Sequence, residues 1–301
     1  MTENPDRETG RLPGFSQHVR RARAFGAAAA AYAEHRPDYP IGGIAWALEP
    51  LAALPGHLVR PARLLDLGAG TGKLTMQLAS LPVGPGLPQV VAVEPDPQMQ
   101  AELRKTLRTS QGTAERGTTG GEGGTGQVTV LSGRAEEIPL PDASVDAVLA
   151  GQAAHWFDLD LAIPEIARVL VPGGVFAGLW NASDDRVEWV AGLADLAGRQ
   201  GLATVSMFSS PSDEGLAGRL GTAGQNHFMP PQYATFEHAH VRTADSLIET
   251  LSTHSMFLIM EPEERDATLA RVREYLAVTP QTAAGEFSVP IVTLVVRAAR
   301  R

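Results

Sequence analysis

LLDLGAGTGKL, residues 64–74, sets an apolar run against glycines at every second position, Gly68, Gly70 and Gly72, behind a single acid, Asp66. The run reads as a buried strand, and glycines this dense let a backbone approach a ligand closely. The loop turns this strand into a helix, so its N–H groups can face a ligand at the helix N-terminus. Spacing argues against two phosphate-binding loops. A dinucleotide fingerprint G-x-G-x-x-G starting at Gly68 needs a small residue where Lys73 stands. A P-loop needs Ser or Thr in place of Leu74, and glycine in place of Leu67.

Around this loop, short Val- and Leu-rich runs alternate with helical stretches, the signature of a parallel sheet with crossover helices. The runs are RLLDLG, QVVAVEP, QVTVLSG, VDAVLAG and GGVFAGLWN, and helices are predicted near Lys73–Ser80, Pro97–Arg108 and Leu161–Leu170. Their lack of alternation predicts strands buried on both faces. Residues 1–18 read as a flexible leader. Residues 19–60 read as an N-terminal helical lid, built from the alanine-rich RRARAFGAAAAAYAEH, the stop signal RPDYP and a helix near Gly43–Leu54. The core spans 61–181 and carries a Gly/Thr-rich stretch, 108–127, predicted to be a mobile surface loop. Residues 182–226 read as a helical insertion, with helices near Asp184–Gln200 and Pro211–Leu220. Residues 227–301 supply an extended segment, cap helices near Ala244–Met260 and Pro262–Val278, and a β-branched last strand that suggests an antiparallel edge pair.

The 301 residues contain 34 Asp and Glu against 25 Lys and Arg, a net charge of −9. That charge repels a phosphate backbone, so a nucleic-acid partner is not expected. The chain has no cysteine, which excludes disulfides, thiolate catalysis and thiolate metal sites. No apolar run approaches the ~20 residues that cross a bilayer. The expectation is a cytoplasmic protein, monomer or homodimer, with a small-molecule partner and no membrane contact.

Four segments in order, DLGAGTG, VVAVEPDPQM, SGRAEEIPLPDASVDAVLAGQAAHWFD and RVLVPGGVFAGLWN, resemble the motifs of class I S-adenosylmethionine-dependent methyltransferases. YAEHRPDYP and QAAHWFD are most similar to the branch around ubiquinone/menaquinone-type and trans-aconitate-type enzymes, which act mainly on small molecules. The resemblance implies an α/β, Rossmann-like fold. Its seven-stranded, mostly parallel sheet has an antiparallel last strand, with a helical lid and an insertion after strand five. It also implies S-adenosylmethionine as cofactor and S-adenosylhomocysteine as product.

On that resemblance, Gly68, Ala69, Gly70 and Gly72 wrap the methionine part of the cofactor and Asp66 orients its amino group. Glu94, with Pro95 and Met99 beside it, meets the ribose. Arg134, Ala135 and Glu136 lie at the adenine, Gln152 follows the fourth strand at the cofactor, and Tyr32 and Arg36 reach in from the lid. His155 is the expected general base, as a histidine suits a hydroxyl or amine nucleophile near neutral pH. Trp156, Phe157, His254, Ser255 and Phe257 are expected in the substrate pocket. His238 and His240 alternate on a probable strand and share a face, but no three-ligand set completes them, so no metal is expected. Two other readings stay open: a nicotinamide-dependent oxidoreductase, and a protein that binds S-adenosylmethionine without transferring its methyl group.

Overall fold

A computed structural model describes residues 36–56, 59–116, 126–198, 202–205, 216–252 and 254–301. The described chain opens with α1 (Ile41–Leu48) and a 3-10 turn (Glu49–Ala53). It then alternates β1 (Arg63–Leu67), α2 (Lys73–Ser80), β2 (Gln89–Glu94), α3 (Pro97–Arg116), β3 (Val128–Ser132), β4 (Val145–Gly151), α4 (Leu159–Val169) and β5 (Leu170–Ser183). Next come α5 (Glu188–Ala197), α6 (Leu216–Gly221), β6 (Gln232–Arg242), α7 (Ala244–Ser252), α8 (Ser255–Ile259), α9 (Pro262–Val278) and β7 (Phe287–Ala299).

The strands form one sheet in the order β3-β2-β1-β4-β5-β7-β6. β1 to β5 run parallel, and β7 runs antiparallel between β5 and β6. Strand order reverses between β1 and β4, which opens a crevice beyond their carboxyl ends, the place where open α/β sheets receive ligands. The glycine loop follows β1 and Gln152 follows β4, so both stand at that crevice. The predicted unbroken apolar runs are buried where the sheet is deepest: β4 is buried from Val145 to Ala150. At the edge, β3 exposes Thr129 and Ser132.

Apolar residues of the sheet pack in two layers. On one face Leu65, Val148 and Phe176 meet Ile163 and Ile166 of α4. On the other, Leu64, Leu149 and Leu179 meet Ile44 of α1 and Leu74 and Leu78 of α2. A third cluster joins Trp189, Leu193, Leu247, Val272 and Leu276 to Phe287, Val289 and Ile291 of β7. Because β7 is antiparallel, its first residues lie at the carboxyl edge of the parallel strands, so this cluster seats the cap helices beside the crevice.

Three sequence-level boundaries are corrected. α3 continues to Arg116 instead of ending near Arg108. The Thr106, Thr109 and Ser110 hydroxyls donate back to the carbonyls of Glu102, Lys105 and Thr106, which lets a polar stretch stay helical. α5 starts at Glu188, because the Asp184 carboxylate takes the Arg186 N–H and guanidinium and holds a turn there. The helix expected over Ala244–Met260 is divided into α7 and α8. The leader, lid residues 19–35 and residues 117–125 of the Gly/Thr-rich stretch lie outside the described residues. Among the described residues, no helix is long and apolar enough to cross a membrane.

Candidate active site

β1 delivers the chain into a tight loop laced to β2. The Gly68 and Ala69 N–H groups donate to the Val93 carbonyl at 2.9 and 3.1 Å, and the Gly72 N–H donates to the Ala69 carbonyl at 2.9 Å. Gly70 and Gly72 have φ of +55° and +92°, left-handed values that strain any residue with a side chain. Their surroundings differ. A Cβ on Gly72 would lie 2.2 Å from Leu103 Cδ1 in α3, whereas one on Gly70 would meet nothing within 4 Å. Gly72 permits packing, and Gly70 borders open space.

Two carboxylates support this loop. Glu94, the last residue of β2, accepts the Gly70 N–H on Oε2 at 2.8 Å and the Asp96 N–H on Oε1 at 2.9 Å. The helix behind it starts at Pro97 and takes its cap from Asp96, whose Oδ1 accepts the N–H groups of Gln98 and Met99. Glu94 therefore clasps the loop and does not cap the helix. Asp66 lies below, 1% exposed, accepting the Thr75 hydroxyl at 2.6 Å. Burial pushes its pKa up to about 7; the Thr75 bond opposes that rise and the nearby Glu94 charge adds to it. Burial also raises Glu94, against the N–H groups of Asp96 and Gly70. Pro95 is exposed and Met99 buried.

In the turn after β3, Ala135 is buried and Arg134 exposed. Glu136 pairs with Arg134 at 2.8 Å and accepts the Asp158 N–H at 2.8 Å, tying this turn to the start of α4. Burial pushes Glu136 up, but Arg134 and the Asp158 N–H outweigh it and hold the carboxyl below its usual range.

After β4, Gln152 holds φ of +53°, a strained value for a non-glycine residue. Its side-chain amide donates to the Asn181 carbonyl at 2.8 Å. Asn181 accepts the Thr293 hydroxyl at 2.6 Å and donates to the carbonyls of Pro37 and Asp38 at 3.3 and 3.1 Å. His238 Nε2 lies 3.0 Å from the same hydroxyl. The hydroxyl proton is committed to Asn181, so His238 donates its Nε2–H. Nearby, the Tyr39 backbone exchanges two hydrogen bonds with the Gln77 amide, and Lys73 pairs with Asp38 at 3.2 Å. The motif reading missed Asn181, Thr293 and Gln77. Only Asn181 carried a signal, as the polar residue closing an apolar strand at its carboxyl end.

His155 is exposed, and its Nδ1 accepts the Trp180 indole N–H at 3.3 Å. The neutral ring then carries its proton on Nε2, so the lone pair that a base would use is engaged. Trp156 lies beside His155, its ring tilted at 43° with centroids 5.0 Å apart. Phe157 walls the loop, its Cε1 3.5 Å from where a Cβ on Gly68 would stand. His254 precedes α8; burial, then the Arg36 charge, pushes its pKa well down. Phe257 is a correction: it is 0% exposed within the cap cluster of Trp189, Leu193 and Val272, so it fills the cap's core. Tyr32 and the Ser255 side chain lie outside the described residues.

A family model described as a methyltransferase domain matches residues 65–178, the stretch from β1 to β5. An uncharacterized methyltransferase of Mycobacterium bovis is 39% identical over 91% of this chain and 95% of its own. A ubiquinone/menaquinone biosynthesis C-methyltransferase of Methylobacterium nodulans is 31% identical over 46% of this chain and 50% of its own. A solved methyltransferase-type structure from Anaeromyxobacter dehalogenans shares the fold at 23% identity, covering 88% of this chain and 97% of that one with a TM-score of 0.55. With the Mycobacterium bovis similarity running nearly the full length of both chains, and the site built at the crevice its fold provides, the chain belongs to the class I methyltransferase family.

Proposed function

We propose that the protein moves a methyl group from S-adenosylmethionine to a small-molecule acceptor and releases S-adenosylhomocysteine. The observation that carries this reading is the pair of buried carboxylates, Asp66 and Glu94, set against a glycine loop that borders open space at Gly70. Such a set of acceptors fits a ligand with cationic groups and ribose hydroxyls. Each Glu94 oxygen holds one N–H and keeps a second acceptor position. A dinucleotide site is a poorer fit, since Lys73 stands at its third glycine and β7 reverses a sheet that such folds keep parallel.

Bound S-adenosylmethionine would supply an electrophilic methyl on its sulfonium, with S-adenosylhomocysteine as the leaving group. The chain's task is then alignment and exclusion of water. The loop and Glu94 would hold the cofactor, Phe157 offers an aromatic wall that favours a neighbouring cation, and the cap cluster lies beside the crevice. His155, with Nδ1 engaged by Trp180, serves an acceptor that needs no strong base.

Calorimetric titration with S-adenosylhomocysteine and with NAD tests the reading. Binding of the first and not the second is expected, with Glu94→Gln weakening it by about tenfold or more. Binding of NAD without S-adenosylhomocysteine would overturn the reading in favour of an oxidoreductase.

A further inference from the structure

In a chain of net charge −9, one end of the crevice gathers basic side chains. His238, His240 and Arg242 occupy alternate positions of β6 and share its inward face, the face on which Phe236 packs against Trp46 of α1. They lie toward the carboxyl end of β6, which runs in the same direction as β1 and β4, and so point to the crevice side of the sheet. From the other wall, Lys73 follows the glycine loop and acts on His240, and Arg36 acts on His254. Two carboxylates belong to this neighbourhood: Asp38, paired with Lys73, and Glu249, whose charge reaches Arg242.

Arg242 is the anomaly. It is 8% exposed, and its Nη2 is buried without a hydrogen-bond partner among the described residues. A buried guanidinium is costly unless its donors are met, and its planar fork matches the oxygens of a carboxylate or phosphate. Beside it, His240 is half-buried. Burial, then the charges of Arg242, Lys73 and His238, push its pKa down to about 4 against the pull of Asp38. Arg242 and Lys73 add their charge to that burial, and an anion bound there would offset it.

We propose that the methyl acceptor carries an anionic group, carboxylate or phosphate, held by the Arg242 guanidinium with His240 at the end of β6. This deepens the transferase reading and rests on it. It also suits the engaged His155 where the methylated group is the carboxylate itself, because a carboxylate oxygen carries no proton to remove.

The test titrates the full chain, saturated with S-adenosylhomocysteine, with inorganic phosphate and with succinate in a non-coordinating buffer. Saturation ensures that the cofactor's own carboxylate is not what the cluster takes. At least one probe is expected to bind; phosphate alone points to a phosphorylated acceptor and succinate alone to a carboxylic acid. Arg242→Gln should weaken that binding by about tenfold or more while S-adenosylhomocysteine affinity stays within about twofold. His240→Asn, which removes no buried charge, is the second variant should Arg242→Gln fold poorly, and a loss of probe binding is expected there too. If the saturated protein binds neither probe, or both variants bind as the wild type does, the proposal is overturned. Probe binding in a protein that does not take S-adenosylhomocysteine would overturn the transferase reading instead.

Discussion

At Gly70 and Gly72 the backbone asks for the same left-handed conformation, yet an added methyl group tests something different at each. At Gly72 it would press on Leu103, which is wholly buried in α3, so Gly72→Ala should lower stability through both strain and overpacking. At Gly70 it enters open space and costs only the left-handed strain, about 1–2 kcal/mol. Gly70→Ala should therefore fold and yet lose S-adenosylhomocysteine affinity; normal affinity, measured by calorimetry, would show that the loop is not the cradle. Asp66 makes a separate prediction. Its folded pKa is raised to about 7 while the unfolded chain titrates near the ordinary carboxylate value, so the native state holds the extra proton between them. Stability then declines as pH rises from about 4 to about 7. Asp66→Asn keeps an oxygen for Thr75 and removes the titration, so its urea-denaturation profile should be flatter across that window and lie above wild type at the alkaline end. Parallel profiles would rule this out.

Among elements, what attaches the segment ahead of α1 to the sheet is the relay from His238 through Thr293 and Asn181 to the Pro37 and Asp38 carbonyls. Thr293→Val keeps the shape of the side chain and deletes the shared hydroxyl, leaving Asn181 Oδ1 and His238 Nε2–H without that bond. The expected cost is about 1–3 kcal/mol. Hydrogen exchange should also quicken at Tyr39, and an unchanged rate there would mean the segment is held by its Gln77 bonds alone. This relay marks where the sequence stopped being readable. α2 and α9 were predicted near Lys73–Ser80 and Pro262–Val278, the bounds they have: α2 begins where the glycine loop ends, and Pro262 stands in the first turn of α9. The antiparallel last pair was legible from its β-branched run. Thr293, buried inside VTLVV, looks like any β-branched strand residue, and its partner Asn181 is 112 positions away, so no local pattern reveals the bond. Phe257 misled for the complementary reason: an aromatic on a late helix reads alike whether it faces a ligand or a core.

On the scale of the whole molecule, the sheet separates a working edge from a structural one. The polar groups proposed to meet a ligand stand toward or beyond the carboxyl ends of the parallel strands and of β6, which runs in the same direction. At the opposite edge Asp146, 5% exposed near the start of β4, accepts both Arg60 terminal nitrogens at 2.8 and 2.7 Å and the Arg63 N–H at 2.8 Å. That constellation joins the entry to β1 with β4, the two strands whose far ends frame the crevice, so it stabilises the site's scaffold without touching the site. Asp146→Ala would strand the Arg63 N–H and release Arg60. Because Arg60 is itself half-exposed, the cost should be about 1–3 kcal/mol and not that of a fully buried pair. S-adenosylhomocysteine affinity of the remaining folded protein should change by less than about twofold. Denaturation and calorimetry on this variant and on Gly70→Ala should give opposite patterns, one losing stability and the other affinity. If Asp146→Ala loses affinity as steeply as stability, the crevice is not preformed by the sheet, and the cofactor has to organise the loop as it binds.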